Sequence, residues 1–318
     1  MPTATIRRPS NMPCCPGAPR AHADGRARVM IHGVEAAIVA RATAAATALA
    51  GELHLPVDDA ILIQDSNMLA LRLLPCDVFA RVALAGQEVA ALEVEVAGRL
   101  AATASPVAAL EPRVEPRVYE RDGFAVTLWT YYDVVTPAPD LPGAYADALQ
   151  RLHAGMRRVE IATPHFLDRV AEAERLVTHR DDTPALTETD RQLLLGTLRS
   201  ARERIRGHGA AEQLLHGEPH PGNLLGTRDG LLFIDFETCC RGPVEFDVAH
   251  APEDVGARYP GLDHVLLAEC RRLVLALVAA WRWDVRDGFP DGRRHGRNIL
   301  SLLREGPPWP ALGALVTG

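Results

Sequence analysis

The chain reads Leu215-His216-Gly217-Glu218-Pro219-His220-Pro221-Gly222-Asn223 and, a little further on, Leu232-Phe233-Ile234-Asp235-Phe236-Glu237. Prolines and glycines stiffen the first segment and let its backbone come close to whatever it faces. A carboxylate, Glu218, and an amide, Asn223, stand on that loop. A second carboxylate, Asp235, lies near the end of Leu231–Phe236, an apolar run that predicts a short strand. His216 and His220 have the offset of a helical metal pair. Pro219, Pro221 and the glycines forbid a helix there, which argues against a metal hydrolase. His216 is expected to brace the loop through hydrogen bonds rather than to titrate.

One chemistry uses these three groups together. Phosphoryl transfer from a magnesium nucleotide needs a group near the acceptor hydroxyl and oxygen ligands for the cation, and it relies mainly on positioning and charge neutralisation. Glu218 is placed to take the hydroxyl proton. Asn223 and Asp235 are hard oxygen donors suited to Mg²⁺, which needs few protein ligands. The bland alternative, a polar turn leading into an ordinary strand, has to produce all three at fitting spacing by accident.

Upstream of this site the spacing of apolar residues predicts a helix over Gly33–Leu53 and strands over Ala60–Gln64, Met68–Leu74 and Val78–Leu84. A helix over Gln87–Ala102 and a strand over Phe124–Tyr132 follow. Val134–Pro142 reads as a Pro-rich linker. Helices are expected over Ala144–Met156, Phe166–Val177, Thr187–Ile205 and Leu262–Trp283, with two or three helices closing the chain. The order is a β-rich lobe, then a helical lobe, an α+β fold. Residues 1–29 read as a disordered tail or as upstream sequence, residues 30–132 as an N-terminal nucleotide-binding lobe, and residues 133–318 as a C-terminal catalytic and acceptor-binding lobe.

The 318 residues carry a net charge of −7, and all 34 basic residues are arginine. No basic cluster marks a nucleic-acid face, and no apolar run reaches membrane-spanning length. Any phosphate clamp must be a guanidinium fork. The six cysteines, at 14, 15, 76, 239, 240 and 270, show no C-x-x-C spacing and read as reduced thiols of a cytoplasmic protein.

The loop His216-Gly217-Glu218-Pro219-His220-Pro221-Gly222-Asn223 with Phe233-Ile234-Asp235-Phe236-Glu237 resembles the aminoglycoside phosphotransferase family, which carries H-G-D-x-H-x-x-N and then I-D-[FW]-[DE]. Leu149-Gln150-Arg151-Leu152-His153 and Gly242-Pro243-Val244-Glu245-Phe246-Asp247 extend the likeness. The resemblance implies a bilobal, protein-kinase-like fold, with a small antiparallel sheet and one helix in the N-lobe and a larger, mostly helical C-lobe. It implies ATP or GTP with Mg²⁺, and transfer of the γ-phosphate to a hydroxyl of an antibiotic or metabolite. By the same resemblance, Ser66 and Asn67 would lie over the nucleotide phosphates. Arg81 would replace the phosphate-clamping Lys and pair with Glu93, with Glu88 and Glu95 as competitors. Trp129 to Tyr131 would form the hinge that reads adenine. Glu218 stands where the family carries Asp. Asp181, Asp182, Glu253 and Asp254 are acidic groups that could attract a cationic acceptor. The alternative function is a nucleotide-binding pseudoenzyme of the same fold. A protein kinase is disfavoured because Glu237, not Gly, follows Asp235-Phe236.

Overall fold

The computed structural model describes residues 6–7, 32–65, 68–86, 89–135 and 141–312. Apart from residues 6–7, the expected tail at 1–29 lies outside these residues, as do Ser66, Asn67 and Glu88. The chain divides into two compact units. One comprises residues 1–102 and 107–134, the other residues 103–106 and 135–318.

The first unit is a sheet with two helices. Strand β1 (Ile6–Arg7) is followed by helix α1 (His32–Glu52), strands β2 (Val57–Asp65), β3 (Leu69–Pro75) and β4 (Val78–Leu84), helix α2 (Val89–Ala101), and strands β5 (Tyr119–Arg121) and β6 (Phe124–Thr130). The sheet order is β1-β2-β3-β4-β6-β5, antiparallel except for β1 on β2. Alanine favours the helix and keeps α1 slim. Its Ala42, Ala45, Ala46 and Leu49 share a core with Leu71, Leu73, Val78, Ala80, Val126 and Leu128. Strand β5 is an addition to the expected set. Three residues are too few for alternation to show, but Asp122-Gly123 beside it is the signal of a tight hairpin. Both residues take the positive φ that such a turn demands, at 50° and 82°.

The second unit is mostly helical. It contains α3 (Leu141–Met156), α4 (Phe166–Thr178), α5 (Glu188–His208), β7 (Gln213–Leu215), β8 (Leu224–Thr227), β9 (Gly230–Phe233), β10 (Cys240–Gly242), the short α6 (Val244–Val248) and α7 (Glu253–Gly256), then α8 (His264–Arg282) and α9 (Gly292–Glu305). Helix α3 begins at Leu141, inside the expected linker, with Pro142 in its first turn. A first-turn proline loses nothing, because its missing N–H would have had no helical partner. Helix α4 opens on a capping box in which His165 accepts from the backbone and Asp168 reaches back to the His165 N–H, at 2.9 Å. Helix α5 is capped by Thr187 and ends on Gly209 at φ 61°. Helix α8 packs on α5, α4 and α9 and buries Leu273, Val274 and Leu277, each worth roughly 1.5–3 kcal/mol in transfer from water. No helix among the described residues is long and apolar enough to cross a membrane.

The strand expected over Leu231–Phe236 ends at Phe233. Asp235 takes a left-handed backbone, φ 68°, which no strand accommodates, and residues Phe236–Thr238 turn into a short 3-10 helix. Asp is among the few non-glycine residues that visit this region readily. The turn removes Asp235 from the ladder, one residue beyond the Ile234 N–H that closes the open end of the β8–β9 hairpin.

Candidate active site

Strand register brings the expected metal ligands together. Leu224 of β8 lies opposite Phe233 of β9, and the Ile234 N–H donates to the Asn223 carbonyl at 3.1 Å. Asn223 and Asp235 therefore leave the same end of one hairpin. The Asn223 side-chain N–H₂ donates to the Glu218 carbonyl at 3.0 Å, which commits its nitrogen and directs its oxygen elsewhere. An amide oxygen and a carboxylate at one hairpin mouth are a donor set that fits a hard divalent cation.

The loop between β7 and β8 is tied down from several sides. His216 is fully buried, and its Nε2–H donates to the Ile234 carbonyl at 2.9 Å, which makes Nδ1 the acceptor of the Glu218 N–H at 3.4 Å. Burial holds the imidazole below its ordinary pKa against the charges of Asp247 and Asp235, so the ring is a neutral brace. Gly217 adopts φ 89°, and a Cβ there would sit 2.0 Å from the Thr238 carbonyl oxygen, so glycine alone fits. The Tyr145 hydroxyl, from α3, donates to the Pro219 carbonyl.

Asp247 anchors the loop backbone, a role the sequence did not announce. Its carboxylate accepts the N–H groups of His216 and Gly217, each at 2.8 Å, and Nε2–H of His153 at 3.0 Å. His153 in turn contacts the Tyr259 hydroxyl through Nδ1 at 2.8 Å. Burial works to raise the Asp247 carboxyl, but the hydrogen bond and charge of His153 outweigh it and the group stays ionised. A buried carboxylate with three donors is satisfied rather than stranded.

Glu218 has a partner that spacing gave no sign of. Arg169 of α4 donates from Nη2 to Glu218 Oε1 and from Nη1 to the Gly217 carbonyl at 3.3 Å. Burial works to raise the Glu218 carboxyl, yet the Arg169 charge, helped by His220 and His250, holds it down to about 2. His250 is itself pushed down to about 4 by burial. Of the acidic groups that were candidates for drawing in a cation, Asp182 lies 4.0 Å from Arg286 and Glu253 lies 3.5 Å from Arg271.

The remaining expected site residues belong to the first unit. Arg81 of β4, partly buried, pairs with the buried Glu93 of α2. Glu95, the competitor among the described residues, pairs instead with Arg99 on the exposed face. Trp129 is 5% exposed, donates to the Thr127 hydroxyl at 2.9 Å and faces Phe79 across the ladder, so its side chain belongs to the unit's interior. The ring of Tyr131 carries the Arg72 guanidinium 3.9 Å from its centroid.

Comparison with known proteins places this fold. The amicoumacin kinase hAmiN, solved with AMP-PNP, Ca²⁺ and Ami, superposes with a TM-score of 0.62 at 13% identity, covering 81% of this chain and 92% of that one. The GDP complex of wild-type aminoglycoside 2'-phosphotransferase-IIIa gives 0.60 at 15% identity, covering 82% and 97%. The choline kinase LicA of Streptococcus pneumoniae gives 0.60 at 12% identity, covering 81% and 98%. A comparison with curated protein sequences returns no match. At such identities the likeness establishes the kinase-like α+β fold. The sequence pattern of the phosphotransferase enzyme family, however, matches residues 68–290, and this span takes in Arg81, Glu93, Glu218, Asn223 and Asp235. The chain belongs to the phosphotransferase enzyme family.

Proposed function

We propose that Glu218, Asn223 and Asp235 carry transfer of the γ-phosphate of Mg·ATP or Mg·GTP to a hydroxyl of a small molecule, an antibiotic or a metabolite. The observation that carries this reading is the hairpin register, which sets Asn223 and Asp235 at one mouth with the Glu218 carbonyl hydrogen-bonded to the Asn223 amide. Asn223 and Asp235 would hold the divalent cation, which supplies charge neutralisation at the phosphates. In the step itself the acceptor oxygen bonds to Pγ. The bond from Pγ to the bridging oxygen breaks, and the electron pair leaves with the nucleoside diphosphate. Glu218 orients the hydroxyl by accepting its hydrogen bond. An ionised carboxylate of low pKa is a weak base, so it takes the proton late, once bonding to phosphorus has made the hydroxyl strongly acidic, and then releases it to water.

In this reading residues 30–132 form the nucleotide-binding part and residues 133–318 the catalytic and acceptor-binding part. Arg81, oriented by Glu93, would clamp the phosphates, and the backbone of Trp129 to Tyr131 would read the base. Ser66 and Asn67 would close over the phosphates. The need for ATP or GTP and Mg²⁺ fits work in the cytoplasm. The solved relatives by fold include kinases named for amicoumacin, choline and aminoglycosides, which supports a small acceptor. A nucleotide-binding protein without turnover gains no support from the family match or the similar folds.

The test is nucleoside diphosphate release from Mg·ATP and Mg·GTP across a panel containing an aminoglycoside, a macrolide, a hexose and choline. Asp235→Ala serves as control and is expected to lose on the order of a thousandfold in turnover. Equal turnover by Asp235→Ala and wild type, or no phosphorylated product with any acceptor, would overturn the proposal.

A further inference from the structure

Glu218 is one methylene longer than the Asp carried at this place by the family it resembles, which shifts a carboxylate by about 1.5 Å if nothing else changes. Misplacement by about 1 Å at a reacting centre can cost on the order of a hundredfold in rate. A chain that uses Glu here therefore needs something to draw the carboxylate to a defined place.

We propose that Arg169 is that device, a positioning residue that anchors Glu218 by one carboxylate oxygen and leaves the other to meet the acceptor. The proposal rests on the reading of Glu218 as the group beside the acceptor hydroxyl. Arg169 takes Oε1, and no hydrogen bond from the described residues takes Oε2. The same guanidinium holds the Gly217 carbonyl at 3.3 Å, while the Gly217 N–H is held by Asp247 at 2.8 Å. Gly217, the residue before Glu218, is thus held at both its carbonyl and its N–H.

The anchor itself stands on a fixed base. Helix α4 is closed at its N-terminus by the His165–Asp168 capping box, and the Arg241 N–H donates to the Pro164 carbonyl at 2.9 Å. Phe166, fully buried, packs on Phe246 with ring centroids 5.1 Å apart, and a side chain on Gly242 would sit 2.8 Å from the Phe166 ring. The fork matters as much as the charge. Arg reaches a carboxylate and a carbonyl at once in one plane, which a lysine ammonium on a flexible stem cannot reproduce. Both side chains of the pair are largely buried, so water screens the attraction little.

The experiment has a kinetic and a structural arm. Release of ADP from Mg·ATP, with water as the acceptor, is measured for wild type, Arg169→Lys, Arg169→Met, Glu218→Asp and the Arg169→Met/Glu218→Asp double variant. Arg169→Met is expected to lose about a hundredfold in kcat, with KM for Mg·ATP changed by less than about twofold. Arg169→Lys recovers part of that loss. The double variant, whose shorter carboxylate needs no anchor, exceeds Arg169→Met by about tenfold. Crystal structures of the metal-free proteins should show the Glu218 carboxylate displaced by about 1 Å or more in Arg169→Met, and displaced less in Arg169→Lys.

Wild-type kcat in Arg169→Met, an unmoved Glu218 carboxylate, or a double variant no better than the single one would overturn the proposal. If Arg169→Met does not fold, Arg169→Lys decides between the same outcomes, through its kcat and the position of its Glu218 carboxylate. A wild type that transfers phosphate neither to water nor to any acceptor instead strikes the reading of the site. The crystallographic arm still shows whether Arg169 holds the carboxylate.

Discussion

The first unit holds a largely buried Arg–Glu pair, Arg81 with Glu93, and so does the second, Arg169 with Glu218. The arginines are almost equally covered, at 14% and 15% side-chain exposure, so dielectric screening does not separate the pairs. Their scaffolds do. Arg81 sits on β4, flanked by β3 and β6, and its partner lies 12 residues on, in the next helix. Glu218 sits on a loop, 49 residues from Arg169, and owes its place to Asp247 and Tyr145 as well as to the guanidinium. A sheet fixes Arg81 of the first pair through backbone hydrogen bonds. The second is fixed by side chains converging from several distant segments. In the proposed reading, one ion-pair chemistry would serve a rigid clamp in one place and a poised functional group in another.

The largest expected effect tests that division of labour. Glu218→Ala should lower turnover by about 10³-fold while Mg·AMP-PNP still raises the melting temperature as in wild type. Loss of nucleotide binding in that variant would erase the distinction between the two pairs. Arg81→Ala should act the other way. It should weaken Mg·ATP affinity by roughly 10- to 100-fold, as expected for lost hydrogen bonds to a charged group, measured by calorimetric titration. Unchanged affinity would remove Arg81 from the phosphates.

Acid stability sharpens the comparison further. Glu218 is held near 2, below its ordinary 4.5, so its contribution to stability is complete above about 4.5 and is lost as pH falls towards 2. His250, held near 4 against an ordinary 6.5, adds a loss that begins below about 6.5 and is complete near 4. In both ranges the unfolded chain binds more protons than the folded one, so stability falls with acid. Urea denaturation across pH should show both steps, and Glu218→Gln should shrink the lower, leaving the part that belongs to Asp247, and move the upper to lower pH because the Glu218 charge supports protonation of His250. A lower step undiminished by that substitution belongs to another carboxyl. The smallest effect is on the surface. Glu95→Gln breaks the exposed i, i+4 pair with Arg99 and should cost about 0.3 kcal/mol in the same assay, far less than breaking a buried pair.

Much of this was legible in local pattern. Helices α1, α4, α5 and α8 and strands β3 and β4 fall within a few residues of their apolar spacing, because burial of one face is what both the spacing and the element express. The strand expected to run to Phe236 stops at Phe233, because nothing in an apolar run announces a left-handed residue. Glu218, Asn223 and Asp235 could be singled out as chemistry because residue type and short spacing carry the signal. Arg169 could not. It is one arginine among 34, on an ordinary amphipathic helix, and only packing shows which carboxylate it faces.

The sequence alone therefore settled the succession of elements, the stiff Pro/Gly loop and the oxygen-bearing side chains suited to phosphoryl transfer. These depend on properties of neighbouring residues, namely periodicity, ring constraint and ligand hardness. Tertiary structure decided that Asp247 clasps the loop, that Asn223 and Asp235 share a hairpin mouth, and that Arg169 holds Glu218 ionised. Those are contacts between residues 9 to 94 positions apart, and their energies exist only once the chain has closed the distance.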